Sequence, residues 1–307
     1  MDVFGIAVSS GGDFLRAAAI DAGYELSILP HPADTPISVD AIAARAGLTT
    51  AGSRRRLRAL VDVLAAIGAL RVAPPRPVVA RAGWGLMADV IRADRPLAPE
   101  GGDVELRYQL HLARTGAPAA RELVPLLGER PASLLDCGGG AGTYTAAFLD
   151  AHSHATATLV DFHDVIALAR THLADFGARV RFVNGDASAV GGSASHDVVL
   201  LSNLLHLHGP AHGVRLCEAA ARAVTPDGVV VIKDLRIDDD RAGPLPGLLF
   251  ALNMAIYTGE GDVYPVSQLR AWLTAAGLGQ IEERTLPAAP DSVVLLARRG
   301  SLASVPA

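Results

Sequence analysis

The sequence predicts an α/β fold, with a mostly parallel sheet and helices between its strands, preceded by a smaller, mainly α-helical domain. Three observations carry that expectation. The run Leu134-Leu135-Asp136-Cys137-Gly138-Gly139-Gly140-Ala141-Gly142-Thr143 places an apolar stretch, an acid and a glycine-rich turn directly before a helix-like segment at 144–151. Further apolar runs at 157–161, 180–186 and 196–203 read as the second, third and fourth strands. Residues 1–100 have a different texture, with apolar positions at helical spacing.

The glycine turn is the most specific element. Glycines let the backbone turn sharply and let a ligand lie against it, and the helix start behind them offers free N–H groups. Asp161 closes the second strand 19 residues after Gly142, where an acid grips ribose hydroxyls in nucleotide-binding folds. The third strand ends in Gly185-Asp186, and the fourth begins Asp197-Val198-Val199. A fifth strand is expected at 228–234, after the turn signal Thr225-Pro226-Asp227-Gly228, and a final one at 292–298.

In the first hundred residues, helices are expected at 14–29, at 41–48 (capped by Ser38 and ended by Gly47) and at 49–67. Short strands at 68–72 and 78–80 would complete a helix-turn-helix with a wing, interrupted by Pro74, Pro75 and Pro77. The cluster Arg54-Arg55-Arg56-Arg58 could meet phosphates or form a solvated helix face. Residues 83–99 and the acidic 100–103 read as a connection, and 106–127 as one or two helices broken at Pro118.

Composition narrows the classes. With 307 residues the chain can hold two domains, expected at 1–100 and 101–307. Half of the residues are hydrophobic, yet no apolar run reaches the ~18 residues that span a bilayer. No basic segment followed by an apolar stretch opens the chain, so secretion is not expected. Cys137 and Cys217 suggest no disulfide scaffold, which fits a reducing cytoplasm. A net charge of −5 gives no global reason to bind nucleic acid or an anionic membrane. Lys233 is the single lysine.

The order Asp-x-Gly-x-Gly-x-Gly, then an acid, then Gly-Asp, then Asp-Val-Val resembles class I S-adenosylmethionine-dependent methyltransferases. NAD-binding enzymes usually show Gly-x-Gly-x-x-Gly instead. With the N-terminal module, the resemblance is to small-molecule O-methyltransferases of the plant and bacterial type, and it runs from about residue 14 to 299. It implies a Rossmann-like methyltransferase domain with a mostly parallel seven-stranded sheet, behind a winged-helix dimerisation domain. It also implies S-adenosyl-L-methionine as cofactor, a homodimer, and a small-molecule acceptor from secondary metabolism such as antibiotic biosynthesis. Neither nucleic acid nor membrane is an expected partner.

The site residues follow by position. Asp136, Gly138 and Gly140 would hold the methionine end, and Asp161 both ribose hydroxyls. Asp186 and Ala187 would flank the adenine, and Ser202 would border the cofactor. His206 matches the family's general base, although the Asp-Trp that usually follows it is replaced here by Leu207-His208. Asp234 falls where an acid orients that histidine. Asn253, Met254 and Tyr257 on one helix, with Tyr108 and His111 on another, would line the acceptor pocket.

Other readings stay open. His206, His208 and His212 suggest a metal, but the related iron site needs an Asp where Leu207 stands, so no metal is assigned. Asp238-Asp239-Asp240 lacks the spacing of a calcium loop. A carbon or nitrogen acceptor on the same fold would need no strong base. A ligand-sensing winged-helix DNA binder, or a hydroxylating or decarboxylating relative, is a more distant alternative.

Overall fold

The computed structural model describes residues 8–30, 38–97, 103–190 and 194–300. The chain divides into two compact units. The first joins residues 1–101 to 206–209 and 235–265. The second holds 102–205, 210–234 and 266–307.

The first unit is helical: α1 (Val8–Glu25), α2 (Val39–Arg45), α3 (Ala51–Ala66), α4 (Met87–Ala93) and α9 (Leu245–Tyr257). Its local signals are those expected. Ser38 caps α2 by accepting from the Ala41 N–H at 3.2 Å, and Gly47 leaves the helix at φ +68°. Thr50 caps α3 by accepting from Ser53 at 3.0 Å.

Three expectations for this unit are corrected. No strands form at 68–72 or 78–80. Gly68 closes a turn through its carbonyl to the N–H groups of Arg71 and Val72, and the prolines beyond it have no N–H for a ladder. The wing is therefore absent as strands, and Tyr24 Oη pins the segment by donating to the Pro74 carbonyl at 2.6 Å. The supposed connection at 83–99 contains α4, because Trp84, Met87, Val90 and Ile91 are buried in the core. The chain leaves the first unit at residue 101, near the expected boundary, but residues 206–209 and 235–265 are grouped with that unit again rather than with the second. Helix α9 is apolar on all sides, so one buried face cannot satisfy it. Leu248, Leu249, Leu252 and Ile256 join the core of α1, α3 and α4.

The second unit carries α5 (Asp103–Leu123), α6 (Thr143–Ala151), α7 (His163–His172), α8 (Pro210–Ala223) and α10 (Val266–Ala275) around one sheet. Its strands are β1 (Ser133–Cys137), β2 (Thr156–Asp161), β3 (Val180–Asn184), β4 (His196–Ser202), β5 (Val224–Leu235), β6 (Gln280–Leu286) and β7 (Ala289–Arg298). The order is β3-β2-β1-β4-β5-β7-β6. Strands β1 to β5 pair in parallel, and β6 runs antiparallel to β7. This is the expected Rossmann-like, mostly parallel seven-stranded sheet. The order reverses between β1 and β4, and ligands bind at the carboxyl ends of strands at such a switch point.

Here too the structure departs from expectation in places. Helix α5 runs through Pro118 without ending. The signal at 225–228 is absorbed into β5 as an irregularity, His196 pairing with Val224 and Val198 with Val229. Strand β6 was not expected, because its Gln-Ile-Glu-Glu-Arg-Thr run lies on an edge and is mostly exposed. Cys137 and Cys217 are free and buried, and burial pushes the Cys217 thiol up to about 12.

Gly247 lies in α9, and a Cβ there would sit 2.0 Å from the Arg236 carbonyl oxygen. Helix propensity alone would favour alanine by about 1 kcal/mol. The backbone contact reverses the sign: Gly247→Ala is expected to destabilise the protein by roughly 2 kcal/mol, as overpacking does, read as a lower urea midpoint. A higher midpoint would contradict this packing.

Candidate cofactor loop and catalytic segment

The cofactor residues expected from sequence lie together in the second unit, at the carboxyl ends of β1 to β4. Asp136 is 1 % exposed and accepts a hydrogen bond from Thr145 Oγ1 of α6 at 2.7 Å. Burial pushes its carboxyl up to about 6, with Asp161 adding to the rise and the Thr145 hydroxyl opposing it. Gly138 (φ +66°) and Gly140 (φ +58°) take left-handed backbone. The Gly138 and Gly139 N–H groups donate to the Val160 carbonyl at 2.8 and 3.3 Å, drawing the turn onto β2.

Asp161 ties this turn to the next strand. One of its oxygens accepts from the Gly140 N–H at 2.9 Å and the other from the Phe162 N–H at 2.7 Å. Both oxygens are thus oriented by backbone, and a carboxylate oxygen can accept more than one donor. The loop leaves room for a ligand at Gly140, where an added Cβ would meet only Gln109 Oε1, at 3.3 Å. A cationic, hydroxyl-bearing molecule suits this pair of carboxylates. A pyrophosphate would meet repulsion.

Asp186 caps the turn after β3 by accepting from the Ser188 N–H at 2.7 Å, and Ala187 beside it is buried. His212 of α8 lies 3.4 Å from Asp186 through Nε2, and its Nδ1 takes a hydrogen bond from Arg215 at 3.0 Å. Arginine can only donate, so Nε2 carries the proton and faces the carboxylate. His206 and His208 belong to the first unit, and no group of three candidate metal ligands occurs among the described residues. Ser202 ends β4 beside Tyr144, whose phenol is raised by burial and lowered by the Ser202 hydroxyl.

Two residues here were not singled out as site residues from the sequence. Lys233, the single lysine, is 6 % exposed and donates from Nζ to Asn203 Oδ1 at 2.9 Å. Asn203 stands at φ +52° and returns its N–H to the Lys233 carbonyl at 2.8 Å, so the ends of β4 and β5 are doubly tied. Burial lowers the lysine's pKa, and the charge of Asp234, 4 % exposed, opposes that. The only sequence signal was the singularity of the lysine.

The other half of the expected chemistry lies in the first unit. His206 is 5 % exposed, on a single 3-10 turn, Leu205–Leu207. Its ring meets Phe250 edge-on, with centroids 4.9 Å apart and planes at 81°. Its carbonyl accepts from the Asp262 N–H at 3.0 Å. Met254 is buried, Tyr257 half-buried, and Asn253 Oδ1 accepts from Trp84 Nε1 at 2.7 Å. The indole can only donate, which fixes the amide's orientation. Trp84 is a residue that sequence reasoning missed. His111 lies on α5, half-buried, in the second unit; Tyr108 is on the same helix, but its side chain is outside the described residues. A separate cleft of about 540 Å³ in the second unit, lined by Ala117, Thr143, Ala147 and His172, contains none of the expected cofactor residues.

The 3-hydroxy-5-methyl-1-naphthoate 3-O-methyltransferase of Streptomyces sahachiroi is 30 % identical over 213 residues, 65 % of this chain and 61 % of that protein. The tetracenomycin polyketide synthesis 8-O-methyl transferase of Streptomyces glaucescens is 30 % identical over 165 residues, 53 % of this chain and 48 % of that one. The chain thus spans about half to three fifths of these relatives' lengths. An O-methyltransferase family 2 protein from Planctomyces limnophilus, solved with apigenin, has the same fold, with a TM-score of 0.71 at 22 % identity over 98 % of this chain and 99 % of that one. Residues 126–279, half of the chain, match the O-methyltransferase domain, and the chain belongs to that family.

Proposed function

We propose that this chain is an S-adenosylmethionine-dependent methyltransferase that methylates a hydroxyl of a small secondary metabolite. The observation that carries the reading is the set of carboxylates around the glycine turn, Asp136, Asp161 and Asp186, at successive strand ends of a methyltransferase sheet. The relatives' activities on naphthoate and tetracenomycin skeletons point to an aromatic acceptor. Among the described residues no helix is long and apolar enough to cross a membrane. A cytoplasmic homodimer joined through the first unit completes the proposal.

S-adenosylmethionine supplies an electrophilic methyl group on a cationic sulfur. The chain's own residues bind and orient. Asp136 with the turn from Gly138 to Gly140 holds the methionine end, and Asp161 accepts the ribose hydroxyls. Asp186 and Ala187 flank the adenine, and Ser202 closes the edge at β4. Asn253, Met254, Tyr257, His111 and Tyr108 shape the acceptor side. His206 takes the acceptor hydroxyl's proton as the oxygen attacks, and imidazole is suited to this near neutral pH. Asp234 supports that base.

The purified protein, given methyl-labelled cofactor and a panel of hydroxylated naphthoates, is expected to place label on oxygen. His206→Ala should lower kcat roughly 10²- to 10⁴-fold while leaving S-adenosylhomocysteine affinity unchanged. Label on carbon or nitrogen, or an unimpaired variant, would remove the base mechanism.

Asp136 makes a pH prediction. Its folded pKa of about 6 lies above the ordinary 3.8, so its stabilising contribution is complete below pH 3.8 and is lost as pH rises through 6. The loss amounts to roughly 3 kcal/mol for the ligand-free protein. Asp136→Asn keeps an acceptor for Thr145 and is expected to be the more stable protein at pH 7.5, but not at pH 4, in urea titrations. It should also bind S-adenosylmethionine more weakly, because the carboxylate that meets the cation is gone.

A further inference from the structure

Two of the four arginines in the cluster that could have met phosphates are spent inside the first unit. Arg54 pairs with Asp40 at 3.2 Å. Arg56 is 1 % exposed, pairs with Asp94 and donates to the Thr258 carbonyl at 3.3 Å. Arg55 donates through one nitrogen to the Gly261 carbonyl, and through the other to the carbonyls of Gly259 at 3.0 Å and Thr258 at 3.5 Å. Arg58 is exposed. Two adjacent guanidiniums on α3 therefore grip the loop that follows α9.

That loop holds the segment carrying His206. Thr258 Oγ1 donates to the Met254 carbonyl at 2.7 Å and accepts from the Gly261 N–H at 2.8 Å, which closes the loop. Gly261 packs so tightly that an added Cβ would lie 2.4 Å from the His206 carbonyl oxygen. The next residue, Asp262, donates its N–H to that same oxygen at 3.0 Å. Tyr264 Oη donates to the His208 carbonyl. On the far side Arg241 ties Asp262 (3.1 Å) to Asp62 of α3 (2.8 Å). A single 3-10 turn has few internal bonds to orient itself, so these outside bonds set where the His206 backbone stands.

We propose that Arg55 is a positioning residue for His206. It holds loop 258–261 by three carbonyls, and the loop holds the backbone that carries the imidazole. The proposal rests on the reading of His206 as the base. A planar guanidinium suits the task because its donors sit on separate nitrogens in a fixed fork and reach carbonyls set apart, whereas an ammonium donates from a single point. Hydrogen bonds from a charged donor are also the stronger kind.

The test compares Arg55→Ala, Arg55→Lys and the control Arg58→Ala in the full chain. Two readouts are used: steady-state methyl transfer, and the His206 ring signal by NMR, assigned by its loss in His206→Gln. Arg55→Ala is expected to lower kcat about 10- to 100-fold, the scale of a misplaced catalytic group. S-adenosylhomocysteine affinity should not change, and the His206 signal should shift and broaden. Arg55→Lys should recover part of both, and Arg58→Ala should match the parent. In a His206→Ala background Arg55→Ala should cost nothing further, since coupled sites are non-additive. Should Arg55→Ala yield no folded protein, Arg55→Lys serves for the same comparison. The proposal is overturned by an unmoved His206 signal, or by an equal loss of rate in both backgrounds. If His206→Ala alone costs nothing, the base reading falls, and the ring signal still decides whether Arg55 holds His206.

Discussion

The turn between β1 and α6 works only because three backbone positions in it carry no side chain. A Cβ on Gly138 would lie 2.7 Å from Leu204, one on Gly139 2.7 Å from Leu159, and one on Gly142 2.5 Å from Leu173. Those leucines come from the segment after β4, from β2 and from the end of α7. The turn is thus pressed against apolar neighbours from both sides of the switch point. Its position fixes where Asp136 emerges from β1, and where Asp161 can meet the Gly140 N–H. Gly138 and Gly142 also need left-handed backbone, so their glycine identity is required twice over.

Burial then acts on the charges. Asp136, Lys233 and Arg56 are each at most 6 % exposed, and each has a specific partner: Thr145, Asn203 and Asp94. Unpartnered, such groups would cost several kcal/mol. The partners also carry geometry. The Lys233–Asn203 tie sets the ends of β4 and β5, and the Asp161 carboxylate is oriented by two backbone donors. The same interactions that make these polar groups tolerable also give them definite orientations, as a binding site requires.

In the first unit, α9 has the comparable place. Its apolar surface draws α1, α3 and α4 around it, and the loop leaving its end is gripped by arginines of α3. Residues distant in sequence, Arg55 and Gly261, therefore meet, and two arginines of the chain's basic cluster, Arg55 and Arg56, become internal scaffolding. A patch of like charge in a sequence reads as a surface because its partners, here backbone carbonyls some two hundred residues away, carry no charge to announce them.

Much of this protein was determined locally. The glycine turn, the strand-end acids Asp136, Asp161 and Asp186, the caps Ser38 and Thr50 and the parallel strands all follow from neighbouring residues, through backbone preference and apolar periodicity. Other features depended on distant contacts. Whether α4 forms depends on a core supplied by α1, α3 and α9, and whether residues 68–80 make a wing depends on a ladder that prolines cannot join. Pro118 can sit inside α5, and the β6 edge strand forms from a largely polar run because β7 supplies its hydrogen bonds. The roles of Trp84, Lys233 and Arg55 lie wholly in tertiary structure. Each acts through one long-range hydrogen bond or a few, and a hydrogen bond between residues far apart in the chain leaves no periodic trace in the sequence.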